Sequence, residues 1–175
     1  MAEKRNEIRS LASFFDIGNV KVNINSETKL PCIQCNGTSV SGLMSICSYL
    51  ATTSGKAELV GKDAKSRALV GQWLEYRVTE VDRCQGDKEE RNVFKELNAY
   101  LSTRTYFVEQ RFSLADLLLY YGLHNKVNGL TYHEKETYMH LSRWFDNVQR
   151  LPNTRQHLTE VPFALNRLYA GYVPH

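Results

Sequence analysis

Apolar residues recur at Ile8, Leu11, Ala12 and Phe15, and Gly18 follows them, which predicts a helix ended by glycine. The period then shortens. In NVKVNIN, Val20, Val22 and Ile24 alternate with polar neighbours, the pattern of a half-buried strand, and KLPCIQCN reads as a second strand entered through Pro31. TSVSGLMSICSYLATTSG opens with serines, Ser39 or Ser41 serving as helix cap. It carries Leu43, Ile46, Cys47 and Leu50 at i, i+3, i+4 and i+7, one apolar face of a helix.

The composition turns small and polar between Gly55 and Gly61, and everything beyond reads as helical. We place a boundary there: an α/β unit over 1–57 and an all-helical unit over 58–175. SRALVGQWLEYRVTEVD puts Val70, Trp73, Leu74, Val78 and Val81 on one side, and EERNVFKELNAYL does the same with Val93, Phe94, Leu97 and Leu101. SLADLLLYYGL is apolar nearly all round, as a central buried helix must be. TYHEKETYMHLSRWFDNVQRL keeps Tyr138, Leu141, Phe145 and Val148 in step until Pro152, and NTRQHL reads as a shorter helix after it. The tail from Thr159 is aromatic without a period. The predicted fold class is α+β.

RFSLADLL is the sharpest local signal. Ser113 is placed to cap the first turn, Asp116 at the third position to reach back, and Phe112 before the cap to pack on Leu117. A buried helix start cannot leave its amides unpaired, so the role is structural, and replacing Ser113 or Asp116 by alanine is expected to cost about 1–2 kcal/mol.

Totals exclude more than they assign. With 22 Lys and Arg facing 19 Asp and Glu, the net charge is +3, and the sequence shows no basic stripe of the kind a dedicated nucleic-acid binder carries. No apolar run approaches the roughly 20 residues of a membrane span, and MAEKRNEIRS lacks the apolar centre of a signal peptide. Four cysteines in 175 residues do not make a disulfide scaffold, which points to a reducing compartment, cytosol or nucleus.

Each candidate for chemistry has a plainer reading. Cys32 and Cys35 have the spacing of a redox dithiol. Along a strand, however, residues three apart face opposite sides, where two sulfurs neither close a disulfide nor share a metal. HEKETYMH lacks the second histidine of a zinc-protease helix, because position 137 is Thr137. GTSVSG departs from a nucleophile elbow at Ser41. Trp73, Tyr76, Tyr100, Tyr120, Tyr121 and Trp144 fall on helical faces, as core or subunit contacts do. No metal or cofactor is expected.

A proline-entered strand, an amphipathic helix, a linker and a helical unit carrying FSLADLLLYYGL together resemble the glutathione-transferase fold. Over GQWLEYRVTEVD, LNAYL, FSLADLLLYYGLH, LSRWFDNVQRLP and RQHL the chain is similar to the elongation factor-1 epsilon family, the small transferase-like auxiliary subunits of the animal multi-tRNA-synthetase complex. The likeness is strongest over 71–158.

The resemblance implies a reduced thioredoxin-like N-terminal unit in which Pro31 is the cis-proline. It also implies a non-catalytic scaffold in translation, located in the cytoplasm with the nucleus as a second compartment. A transferase activates glutathione with a hydroxyl or thiol after its first strand; here a charged helix stands in that place, and Ser10 and Ser13 lie inside it. The acidic or amide residue before a serine that holds the tripeptide is replaced by Val40 before Ser41. The alternative, an active glutathione transferase, is therefore disfavoured. The implied partners are methionyl-tRNA synthetase, glutamyl-prolyl-tRNA synthetase and other scaffold subunits of the complex. The first would dock on helices 42–53 and 64–82, through Leu43, Ile46, Leu50 and Val70. The second would dock on the loop after Val81 and the helix carrying SRWF, with Asp82 facing an arginine and Arg143 a carboxylate.

Overall fold

The computed structural model describes residues 2–163 apart from 19, 27, 29 and 36, with no side chain described at 2–4. Helix α1 (Ala2–Phe14) leads into a wholly antiparallel sheet of three strands, β1 (Lys21–Ile24), β2 (Pro31–Cys35) and β3 (Thr38–Ser41), in the order β1-β2-β3. Ile33 at the centre of β2 faces Val22 on one side and Val40 on the other. Helix α2 (Leu43–Thr53) covers the sheet, and a 3-10 turn, Ala57–Val60, leads out of it. At Gly61 (φ 117°) a side chain would press into the backbone of Ser66 and Arg67, so only glycine turns the chain there. Asp63 then caps α3 (Ala64–Tyr76), accepting the Ser66 N–H at 2.7 Å.

Helix α3 passes into one π turn, Arg77–Val81, which is followed by α4 (Asp87–Tyr100). Helix α5 (Leu114–Asn128) runs through the centre, with α6 (Tyr132–Thr137) and α7 (Met139–Gln149) packed outside. One continuous core joins the units, from Ile8 and Phe15 of α1 through Ile33 and Leu50 to Leu118 and Phe145.

Four expectations are corrected. TSVS forms β3 and not a helix start: Ser39 and Ser41 lie in that strand, and α2 begins after Gly42 without a side-chain cap. The polar TSVS has no strand pattern of its own; pairing with β2 makes it one. The long helix over 132–149 is two, broken at Tyr138, yet Tyr138, Leu141, Phe145 and Val148 all point inward. NTRQHL forms turns, with Asn153 and Gln156 in the left-handed region. The segment is pinned by side chains: Tyr121 donates to the Thr154 carbonyl, and Gln149 pairs with both the N–H and the C=O of Val161. Finally, Pro31 is not a cis-proline, for no cis peptide occurs among the described residues. As the first residue of β2, Pro31 gives its carbonyl to the Gly42 N–H, and strand entry suits proline's fixed φ in the trans form. The tail beyond Phe163 lies outside the described residues.

At the start of α5, Ser113 and Asp116 form a capping box. Asp116 does more than the motif requires. With no exposed surface, its carboxylate accepts the Ser113 N–H (3.0 Å) and hydroxyl (2.8 Å), the Phe107 N–H (3.0 Å) and the Trp144 indole N–H (2.9 Å). Leu117 is fully buried, and Phe112 sits half-buried beside the rings of Phe14 and Tyr106. Burial pushes the Asp116 carboxyl up to about 6 although all four donors pull it down.

Two outcomes follow from this carboxylate. Asp116→Ala should lower the urea-unfolding free energy by about 3 kcal/mol or more, because three buried N–H groups lose their acceptor, whereas Ser113→Ala costs about 1 kcal/mol. The folded chain also holds this proton more tightly than the unfolded one. That contribution is complete below the ordinary value of 3.8 and is lost as pH rises through about 6. Measured between pH 4 and 7, wild-type stability relative to Asp116→Asn should fall by roughly 2 kcal/mol; a flat difference contradicts the assignment.

Candidate functional site

The resemblance places any glutathione chemistry in the N-terminal unit. Ser10 is buried in the body of α1, and its Oγ lies 2.7 Å from His157 Nδ1; Ser13 is exposed on the same helix. Neither stands at a helix mouth. Val40 and Ser41 end β3, directly before α2, and Val40 has no side-chain acceptor for an ammonium group. Cys32 and Cys35 occupy opposite faces of β2: Cys35 points into the core, while Cys32 is half-exposed with its Sγ 3.3 Å from Ser39 Oγ. Hydrogen bonds from Ser39, then Ser41, hold the Cys32 thiol below the usual range. Burial pushes the Cys47 thiol well above it, as befits a core residue of α2.

The expected docking residues divide sharply. Ile46, Leu50 and Val70 have at most 1% of their surface exposed, because α2 and α3 turn these positions into the chain's own core; they are not surface. Leu43 is half-buried at the head of α2, and its neighbour Met44 is 39% exposed. Arg143 is exposed on α7, where one guanidinium nitrogen donates to the carbonyls of Leu101 (2.8 Å) and Arg104 (2.9 Å). It thus closes the end of the α4 turn while the rest of the fork faces out. Asp82 has a partner within the chain, the Arg77 guanidinium.

Arg77 was not foreseen. It is 4% exposed and lies on the π turn, with Nε donating to the Leu118 carbonyl at 3.2 Å and Nη2 3.3 Å from Glu7 of α1. The space it fills is the missing side chain of Gly122 on α5, where a Cβ would overlap the guanidinium. Two signals for it were in the sequence. Arg77 occupies the buried stripe of Val70, Leu74 and Val81, and Gly122 interrupts a helix otherwise apolar all round. An arginine on that stripe has to be bonded, and the glycine makes the room. A cleft of about 970 Å³ opens beside this knot, between α1, the π turn, α4 and α5.

The family model described as "Nuclear-export cofactor Arc1p" matches residues 66–152. "Eukaryotic translation elongation factor 1 epsilon-1" of Cricetulus griseus and of Homo sapiens are each 44% identical over 152 residues, 86% of this chain and 87% of theirs. The chain belongs to the elongation factor 1 epsilon-1 family. Part of the "Bifunctional glutamate/proline--tRNA ligase" of Mus musculus is also 30% identical over 109 residues, 62% of this chain and 7% of that one.

Among solved structures, Ure2p5 of Phanerochaete chrysosporium superposes with a TM-score of 0.70 at 16% identity, covering 85% of this chain and 84% of that one. A glutathione S-transferase of Pichia kudriavzevii gives 0.69 at 20%, covering 83% and 85%. At such identities the likeness shows the fold, and the fold is the glutathione-transferase one, of class α+β.

In this member of the elongation factor 1 epsilon-1 family the Arg77–Gly122 contact is the joint between the N-terminal helix and α5. Gly122→Ala should destabilise by several kcal/mol through overpacking against a held guanidinium. In a double-mutant cycle, Arg77→Ala with Gly122→Ala should cost no more than Arg77→Ala alone, since the clash has gone. Additive losses in chemical unfolding would show that the glycine matters for another reason.

Proposed function

We propose that the protein is a non-catalytic scaffold subunit of a multi-tRNA-synthetase complex, bridging transferase-like domains of methionyl-tRNA synthetase and glutamyl-prolyl-tRNA synthetase. The observation that carries this reading is the 44% identity, along nearly the whole chain, to elongation factor 1 epsilon-1. The 30% identity to a stretch of the glutamate/proline ligase supports it, since two related folds can pair through equivalent helices.

The two faces then differ in chemistry. The first consists of the outward positions Leu43 and Met44 of α2 with the half-buried Leu69 of α3, Ile46, Leu50 and Val70 holding those helices in place from beneath. The second is centred on Arg143, beside Arg104, whose guanidinium lies 4.1 Å from the Tyr100 ring centroid. Asp82 contributes there only if a partner arginine competes with Arg77 for it. Holding two synthetases at once raises their concentration for each other without any further contact. The buried, hydrogen-bonded Ser10 and the apolar Val40 give no support to glutathione activation.

Pull-down with the isolated transferase-like domains tests the bridge. Met44→Arg should abolish retention of the methionyl-tRNA synthetase domain and spare the other. Arg143→Ala should weaken the glutamyl-prolyl-tRNA synthetase domain about tenfold or more and spare the first. Failure of the wild-type chain to retain either domain, or clear conjugation of glutathione to a generic electrophile, overturns the reading.

A further inference from the structure

The second face carries two guanidiniums, and their hydrogen bonds leave them unequal. Arg143 of α7 commits Nη2 to the end of α4: that nitrogen donates to the Leu101 carbonyl at 2.8 Å and to the Arg104 carbonyl at 2.9 Å, one N–H for each. A guanidinium grips a carboxylate with two parallel N–H bonds, and it has two edges for doing so, Nε with Nη2 and Nη1 with Nη2. Both edges need Nη2. Arg143 therefore keeps single N–H bonds on Nε and Nη1 for a partner, and no intact edge.

Arg104 is placed the other way round. Its Nη1 donates to the Tyr100 carbonyl at 3.1 Å, and its guanidinium carbon lies 4.1 Å from the centroid of the Tyr100 ring. Ring and carbonyl fix the plane of the group and leave the Nε–Nη2 edge unused. Its side chain is already ordered, so gripping a carboxylate does not have to order it. Both arginines are exposed, and among the described residues neither is in an ion pair with a carboxylate. They are neighbours, because the Arg104 carbonyl is one of the two that hold Arg143.

We propose that Arg104 is the bidentate anchor of the second face, gripping a carboxylate on an acidic segment of the partner through Nε and Nη2, with Arg143 adding a single hydrogen bond beside it. The proposal rests on the bridging reading and moves the main contact of that face from α7 to the turn that follows α4. A nucleic-acid strand is a poorer occupant. Glu96, one turn before Tyr100 on α4 and likewise exposed, interrupts the basic track that a run of phosphates follows.

The isolated transferase-like domain of glutamyl-prolyl-tRNA synthetase is titrated against the full chain and its variants. Lysine keeps the charge and loses the fork, so the two positions should separate. Arg104→Lys should weaken binding about tenfold, and Arg143→Lys about threefold or less. Arg104→Gln, which removes the charge as well, should weaken it about thirtyfold. The urea midpoint of Arg104→Lys should match the wild type, which separates an anchor from a structural role. Each exposed Asp and Glu of the partner domain is then changed to Asn or Gln. One of these changes should abolish the difference between arginine and lysine at position 104 and leave the Arg143→Ala loss in place. Full affinity in both Arg104→Lys and Arg104→Gln, beside a loss in Arg143→Ala, overturns the anchor and leaves the partner reading standing. Absence of binding by the wild-type chain overturns both. Displacement of the domain by unfractionated tRNA at physiological salt, lost in Arg104→Gln, overturns a protein carboxylate as the ligand of the fork.

Discussion

A carboxylate without water stands at the head of α5, and the arrangement of the helical unit depends on how it is satisfied. Taking the Asp116 anion out of solvent costs several kcal/mol, and only a full set of donors offsets that. The donors come from three places: the cap residue Ser113, the Phe107 amide in the loop before α5, and the Trp144 indole of α7. The N-terminal end of the helix dipole adds to them. One anion thereby fixes the loop and α7 against the central helix. The aromatic cluster is built outward from that point: Phe107 meets Trp144 edge-on with centroids 5.0 Å apart and also packs against Trp73 and Tyr100. Arg143 stands one residue before Trp144, so the outward aim of that guanidinium is set by the same carboxylate.

Arg77 is the counterpart on the other side of α5. A buried ion pair is weak evidence for stability, because a well-packed apolar group often does as well. What it does impose is geometry. The guanidinium needs the carbonyl of Leu118, the carboxylates of Glu7 and Asp82, and the vacancy at Gly122 all at once. Those requirements bring α1, the π turn and α5 to one place, which is why the boundary expected near residue 57 does not separate two cores.

The sequence disclosed what local chemistry decides. Helical faces were legible because burial follows the period, and the start of α5 because Ser113 and Asp116 are three apart before an apolar run. Strand β3 was not, because TSVS acquires its conformation from β2 and the serines that suggested a cap fit a strand edge equally well. The break at Tyr138 was hidden because the inward pattern continues straight across it. The docking face was misread for a related reason. Apolar spacing marks the side a helix buries, and in a single chain that side meets the chain's own core; Ile46, Leu50 and Val70 had to be inside. Arg77 was passed over because a charged residue on an apolar stripe looks like an interruption until its partners, 5 to 70 positions away in sequence, are seen together.

These two buried charges bear on what bridging requires. Linking two partners raises their mutual concentration only if both can be held at once, and a scaffold whose halves swing freely gives much of that advantage away. Here the α2 face belongs to the unit tied in by Glu7 and Arg77, and the Arg143 face to the helix tied in by Asp116 and Trp144. Both ties end on α5. The separation of the faces is therefore set by one central helix, not by the linker over residues 55–61. Under the proposed bridging role, a change at Gly122 or Asp116, though it touches neither face, would alter the angle at which two partners are presented, and so would affect simultaneous binding more than binding to either partner alone.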